Sequence, residues 1–319
     1  MHIPRIVVVP VIGVLALIAG CGSTQSSSSA GEKSIAVGVP PIIDSSPYYL
    51  AIQKGYFTDA GLTVTTNTRG GEGIAITSLV NGTDQCGFAG TAAILQAAEK
   101  GLPVQIVGQL TKITTKPADD TGMLLVGGNS PIATAKDLNG KTVAVGSLKG
   151  GGELSLRAAV DASGGDSKTM KIIEIPLPNL AASLKSGQVD AISTISPFDG
   201  PAMADGARQI LSPGSVAAPD SMQMGVACNA DFVKNNRPTL EKFLKALNHG
   251  TDDTTGNPDL AKQVLPTYSD IPVDIVKQIK LPVYSSQAEA SGVQQWVDLM
   301  VKYGFISNPL PLDQVYVKL

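Results

Sequence analysis

Histidine is almost missing from this 319-residue chain: only His2 and His249 are present. A Ser-His-Asp triad and a His-ligated zinc centre both need imidazole at the reacting atoms, so neither has its usual means here. Ser147 with Lys149 and Ser183 with Lys185 have the spacing of Ser–Lys pairs, but chance supplies that spacing often, and no catalytic residue is assigned. Aromatic residues are 4% of the chain, with one Trp, too few for a platform on which bases or sugars stack. Charged residues are 16% and the formal net charge is −3. Without a basic footprint, no nucleic-acid partner is expected. No P-loop occurs, so ATP hydrolysis must belong to another chain. Cysteine occurs three times, at 21, 86 and 228, and no metal and no cofactor are expected.

Long apolar runs are also lacking, with one exception. Ile6–Ile18 suits the hydrophobic region of a signal peptide and is shorter than the ~18 apolar residues of a membrane span. Leu17-Ile18-Ala19-Gly20-Cys21 resembles a bacterial lipobox. Residues 1–20 are therefore expected to be a signal peptide, and Cys21 to carry lipid. Residues 21–33, rich in serine, are expected to be a lipidated flexible tether. The protein would then be exported and lipid-anchored on the outer face of the cytoplasmic membrane. Export places Cys86 and Cys228 in an oxidising compartment, where they can pair or stay as small buried hydrophobes.

The chain is rich in glycine (34) and proline (21), and 43% of it is hydrophobic, which predicts tight loops around a packed core. It also repeats itself. SLVNGTD at 78–84 is echoed by SLKSGQVD at 183–190, and AVG at 36–38 by AVG at 144–146. The two echoes keep their order and nearly their spacing, which predicts two similar units. Strands are read at 34–39, 62–66, 86–89, 104–108, 123–126, 141–145, 170–175, 190–194 and 222–228. Helices between most of them argue for parallel sheets covered on both faces. Ser46 is expected as the N-cap of a helix with Pro47 in its first turn. From about 231 the chain reads as almost wholly helical. The expected layout is a first lobe from 34–127 and 221–319, with a second, 128–220, inserted. Hinge crossings would fall near 127–130 and 216–222.

Ala51-Ile52-Gln53-Lys54-Gly55-Tyr56-Phe57, followed by Gly61-Leu62 and Val64, carries a resemblance. With SLVNGTD, KDLNGKTVAV (136–145) and SLKSGQVDAI (183–192), it resembles the extracytoplasmic substrate-binding proteins of ABC importers. The nearest group is the nitrate/sulfonate/taurine and thiamine-pyrimidine-precursor type, and the likeness covers about residues 35–300. It implies an α/β, type II periplasmic-binding-protein fold, with two α/β lobes, a hinge and a ligand cleft between them. It implies a monomeric receptor that captures a small organic or anionic molecule and delivers it to an ABC permease driven by a separate ATPase subunit. It further implies that the strand at 222–228 lies antiparallel beside that at 86–89, making Cys86 and Cys228 neighbours able to form a disulfide. A sensory protein presenting solute to a signalling partner is the alternative. The pyrimidine synthases that share this fold depend on histidine and a cysteine-rich stretch, both lacking here.

In such sheets ligands sit beyond the carboxyl ends of the strands, where helices begin. The repeated SLxxG-D is then scaffold, and the loop beyond each strand is the candidate site. In the first lobe this selects Ser45, Ser46, Tyr48, Arg69, Gly70, Gly71, Glu72, Gly90 and Thr91. In the second it selects Ser147, Lys149, Gly150, Gly151, Asn179, Thr194, Ser196 and Phe198. Glycines admit close backbone approach, the hydroxyls exchange hydrogen bonds, and Tyr48 and Phe198 would be apolar walls. Arg69 and Lys149 are the candidates for holding an anion, which Glu72 would oppose.

Overall fold

A computed structural model describes residues 33–319. The expected signal peptide, Cys21 and the tether up to residue 32 lie outside the described residues. The chain first runs β1 (Lys33–Val39), α1 (Ser46–Gln53), α2 (Tyr56–Asp59), β2 (Leu62–Thr68), α3 (Glu72–Val80), β3 (Cys86–Gly90), α4 (Thr91–Glu99) and β4 (Val104–Lys112). It then crosses to β5 (Gly122–Val126), β6 (Thr142–Val145), α5 (Gly151–Ala162), β7 (Lys171–Glu174), α6 (Leu180–Lys185), β8 (Ala191–Ile195), α7 (Gly200–Ala204), β9 (Arg208–Leu211) and α8 (Pro213–Ala217). It returns through β10 (Met222–Asn229), α9 (Ala230–Asn235), α10 (Arg237–Gly256), α11 (Asp259–Val264), α12 (Val273–Gln278), β11 (Val283–Tyr284), α13 (Ala290–Lys302) and α14 (Leu312–Val315).

Two sheets result, ordered β11-β4-β10-β3-β1-β2 and β7-β6-β8-β5-β9. They are built alike. Each has a parallel trio, β2-β1-β3 or β7-β6-β8, then one antiparallel strand, then a strand parallel to the trio. The antiparallel member is the strand beside a lobe crossing: β10 in the first sheet, β5 in the second. The sequence echo matches this repeat in detail. Gly82 and Gly187 each turn the chain with positive φ, 70° and 72°, where a side chain would be strained. Ser78 and Ser183 each donate to the carbonyl three residues back, at 2.9 and 2.7 Å. Asp190 N–H then bonds to the Thr142 carbonyl, and Gln85 N–H to that of Ala36.

The first crossing differs from expectation. Residues 122–126, assigned above to the first lobe, pair with β8 and β9 of the second sheet. Burial drives this: Leu124 and Val126 fill one face of that sheet's core, and Met123 and Leu125 the other. The crossings are thus 113–121 and 212–221. They are stitched together by Ile113 N–H to the Ser221 carbonyl (2.9 Å) and Asp220 N–H to the Ile113 carbonyl (3.1 Å). The buried Asp120 carboxylate accepts from Ser215 N–H across the crossings at 2.7 Å and from Gly122 N–H at 2.9 Å.

In the first sheet, Ile35, Val37 and Val39 are fully buried, and Cys86 stands opposite Cys228 on β3 and β10, joined by a disulfide. Ser46 is not the N-cap of α1 but its first residue; Ser45 occupies the cap position without a side-chain capping bond. The Ser45 hydroxyl donates to the Pro40 carbonyl (2.8 Å), and that of Ser46 to the Ala261 carbonyl in α11 (3.2 Å). The two-residue β11 was too short to read from periodicity, and it seals the edge of β4. Among the described residues no helix is long and apolar enough to cross a membrane.

Candidate functional site

The carboxyl ends of parallel strands from the two sheets are turned toward one another, and the space between them is the candidate cleft. Contacts on both flanks fix this. A Cβ on Gly151, the first residue of α5, would lie 3.6 Å from the Ala92 Cβ of α4 and 3.6 Å from the Trp296 ring of α13. Gln96 of α4 donates to the Lys149 carbonyl at 2.6 Å. On the other flank, Lys280 N–H donates to the Ser196 hydroxyl at 3.1 Å, and its Nζ reaches the Ala118 carbonyl at 3.2 Å. A separate hollow between α6, α7 and the end of β5 is remote from this cleft. β5 runs antiparallel, so its last residue, Val126, sits beside Ala191 at the start of β8.

The two basic candidates are both engaged within the protein. Arg69 grips Asp84 with two hydrogen bonds, Nε to Oδ2 at 2.7 Å and Nη2 to Oδ1 at 2.9 Å. Burial pushes the Asp84 carboxyl upward, but its hydrogen bonds, led by Arg69, outweigh that and hold it below the usual carboxylate range. Lys149 has a left-handed backbone (φ 58°). Its ammonium lies 4.8 Å from the centre of the Phe305 ring and 3.4 Å from the Gly304 carbonyl. Its own N–H donates to Glu153 at 2.8 Å. The lysine therefore fastens the second lobe to the turn after α13.

Of the remaining first-lobe candidates, Tyr48 is fully buried in the core, with its hydroxyl paired to Thr66 at 2.8 Å. It walls no cleft, because α1 turns it inward onto Phe57 and Phe88. Ser45 and Ser46 are likewise buried. Thr91, buried at the start of α4, donates to the Met222 carbonyl at 2.8 Å, the same carbonyl that accepts from Trp296 Nε1 at 2.7 Å. Gly70 and Gly71 are exposed, and a Cβ on either would meet nothing within 4 Å. Glu72 accepts from Gly90 N–H at 3.2 Å. The residue is open to solvent, yet protein crowds its carboxyl, and this desolvation raises its pKa.

In the second lobe, Ser147 and Asn179 are exposed and Gly150, Ser196 and Phe198 half-buried. The Ser147 hydroxyl makes one long bond, 3.4 Å, to the Leu148 carbonyl. Thr194 is buried, and its hydroxyl has no hydrogen-bond partner among the described residues. The structure thus places Gly150, Gly151 and Ser196 at or beside the contacts between the lobes and Glu72 against Gly90 at the end of β3, and draws Thr91, Tyr48, Ser45 and Ser46 into the packing beneath.

The sequence reading takes Asp44–Tyr49 as one strand-end loop and misses Trp296, Lys280 and Phe305. Asp44, just past β1, is buried with Thr111 donating to it at 2.9 Å; burial raises its pKa against that hydrogen bond. Trp296, Lys280 and Phe305 come from the helical tail, far along the chain from the loops they touch. Ile74, Leu148 and Ile195 are exposed apolar side chains on the strand-end segments of both lobes. Their position at the end of β8 or in the segments that follow β2 and β6 was the available signal.

A protein family described as NMT1/THI5 like matches residues 42–261. The riboflavin-binding protein RibY of Chloroflexus aurantiacus is 25% identical over 306 residues, 89% of this chain and 84% of that protein. A formylaminopyrimidine-binding protein of Halalkalibacterium halodurans is 25% identical, over 82% of this chain and 79% of its own length. The aliphatic sulphonate binding protein SsuA of Escherichia coli superposes with a TM-score of 0.76 at 16% identity, covering 90% of this chain and 93% of that one. The nitrate-binding protein NrtA of Synechocystis superposes with a TM-score of 0.69 at 16% identity, covering 90% and 86%. At those identities the likeness to the solved structures is one of fold.

Proposed function

The chain belongs to the NMT1/THI5-like family, has the periplasmic-binding-protein fold, and on that premise we propose that it is the solute-binding receptor of an ABC importer. Two lobes, 33–112 with 222–319 and 122–211, capture a small organic molecule between them. The receptor hands it, unchanged, to a membrane permease driven by a separate ATPase. It works as a monomer, exported and held on the outer face of the cytoplasmic membrane by lipid on Cys21, with residues 1–20 removed.

The observation that carries this reading is the meeting of strand ends from two lobes, Gly151 against Ala92 and Trp296, around a cleft lined by main chain and hydroxyls. Closure follows from contacts available only when both lobes touch the guest. Among guests, the pairing of Arg69 with Asp84 favours an uncharged molecule over an oxyanion. A bare sulfonate or nitrate needs a free cation or several aimed N–H donors, whereas Glu72 opens α3 with a carboxyl group. The exposed Ile74, Leu148 and Ile195 suit an apolar ring. Relatives that bind riboflavin and a formylaminopyrimidine point to a nitrogen heterocycle.

Calorimetric titration with riboflavin, a formylaminopyrimidine, methanesulfonate and nitrate tests this. Saturable binding of a heterocycle, recovered intact afterwards, is expected. Chemical conversion of the heterocycle, or no binding of any of the four, would refute it. Lipid on Cys21 is read from the mass of the N-terminal peptide of membrane-extracted protein.

A further inference from the structure

We infer that Glu72 is the specificity-determining residue of this cleft, its carboxylate accepting a hydrogen bond from an N–H donor on the guest. The inference rests on the cleft being the binding site. Glu72 opens α3, where a carboxylate is favoured by the helix N-terminus. Its one hydrogen bond among the described residues is from Gly90 N–H, at 3.2 Å, at the end of β3. No ion pair among the described residues includes it, and the nearest cation along the chain, Arg69, is held by Asp84.

The surroundings are shaped to this carboxyl. A Cβ on Gly90 would lie 2.3 Å from Glu72 Oε1, so only glycine lets the carboxyl lie across the end of β3. Beside it, Gly70, Gly71 and Gly73 would each point a Cβ into open space, with nothing within 4 Å. None of the three is among the positive-φ residues. The protein's own packing gives no reason for those three to be glycine, while close approach of a guest does.

The chemistry then follows from charge. Lying against Gly90 at the end of β3, the carboxylate has lost part of its hydration, and a single main-chain N–H does not replace it. An amino group or ring N–H on the guest would, and a hydrogen bond to a charged acceptor is stronger than one between neutral groups. An anionic guest would meet like charge at Glu72, with the neighbouring Arg69 already paired to Asp84. The class selected is a nitrogen heterocycle carrying N–H donors, and sulfonates, nitrate and phosphates are excluded.

The test titrates wild type and Glu72→Gln with riboflavin, a formylaminopyrimidine, methanesulfonate and nitrate, and measures the thermal midpoint of each protein. Because the charge removed is partly desolvated, the midpoint should not fall. The heterocycle that binds wild type should bind Glu72→Gln at least about ten-fold more weakly, as expected for losing a charged acceptor. Its affinity for wild type should also fall as pH is lowered through the raised pKa of Glu72, with no such fall in the variant. An unchanged heterocycle affinity in Glu72→Gln, or tighter binding of either anion than of both heterocycles by wild type, overturns the inference and leaves the receptor reading intact. Wild type that binds none of the four overturns the receptor reading and this inference with it.

Discussion

Arg69 and Asp84 form a two-pronged ion pair at the end of β2, with Nε to Oδ2 at 2.7 Å and Nη2 to Oδ1 at 2.9 Å. The Asp84 side chain is fully buried and Arg69 is one-fifth exposed. Asn67 adds a third bond to the carboxylate at 2.6 Å. The arginine is therefore part of the scaffold beneath the cleft.

Arg69→Met should accordingly destabilise the fold by about 3 kcal/mol, as breaking a buried pair strands the remaining charge. Arg69→Met with Asp84→Asn should recover part of that. Because hydrogen bonds hold the Asp84 pKa low, its stabilisation is present above the unfolded carboxylate pKa of about 3.9 and is lost as pH falls through the lower folded value. Denaturant unfolding of wild type and both variants at pH 7 and at a pH below the ordinary carboxylate value of 3.8 checks this. If Arg69→Met instead unfolds like wild type and loses only ligand, Arg69 is a ligand residue.

Asp44 has the opposite sign. Its pKa is raised by burial, partly offset by the Thr111 hydrogen bond, so the folded state disfavours its ionised form. That penalty is absent below the model-compound value of 3.8 and grows as pH rises through the raised folded pKa. Asp44→Asn keeps an oxygen for Thr111 and removes the charge. It should raise the thermal midpoint at pH 8 and leave it nearly unchanged at pH 4. Equal shifts at both pH values would exclude an ionisation effect.

The strands and their order of burial were legible because β periodicity and apolar runs are local properties. SLVNGTD and SLKSGQVD also betrayed the duplicated lobes, since Gly82 and Gly187 serve one backbone purpose, a left-handed turn launching β3 and β8. The boundary at β5 was misread because Met123–Val126 is apolar on both faces, and composition cannot say which sheet it joins. Side-chain fates at the site were hidden for a related reason. Asp84 meets Arg69 only after β2 and β3 are placed, and Lys149 meets Phe305 across the two lobes. Tyr48 could have faced either way on α1 until Phe57 and Phe88 surrounded it. Strand-end loops mark where a cleft lies, and tertiary pairing decides which of their charges are free.

The disulfide ties the returning chain to the first lobe. Cys86 and Cys228 are fully buried and opposed on β3 and β10, separated by 142 residues that include the whole second lobe. A crosslink closing so long a loop restricts the unfolded chain strongly, by up to about 5 kcal/mol in the chain-entropy account. Replacing both cysteines with alanine should therefore lower denaturant stability by several kcal/mol while leaving the cleft intact. Burial should also protect the bond, so that reductant lowers the unfolding midpoint only when added during denaturation. Two titratable thiols in the purified, unfolded, unreduced protein would contradict this.

Gly151 is the contact through which closure can be blocked, because it packs against Ala92 and Trp296 of the first lobe's core. Its missing Cβ would sit at ordinary van der Waals distance, 3.6 Å, from Ala92 and from Trp296. Alanine therefore fits with little cost, and Gly151→Ala should behave as wild type. A tryptophan cannot fit there unless the lobes part. The crossings at 113–121 and 212–221 allow that parting with both sheets whole, so Gly151→Trp should keep its secondary structure and thermal midpoint. It should show a larger radius of gyration in small-angle scattering and lose heterocycle binding. Since Trp296 is the only native tryptophan and sits in this contact, its emission in Gly151→Phe, which adds no second indole, should shift toward that of solvated indole. A variant with the wild-type radius and undiminished binding would mean that α4, α5 and α13 do not form the closing face.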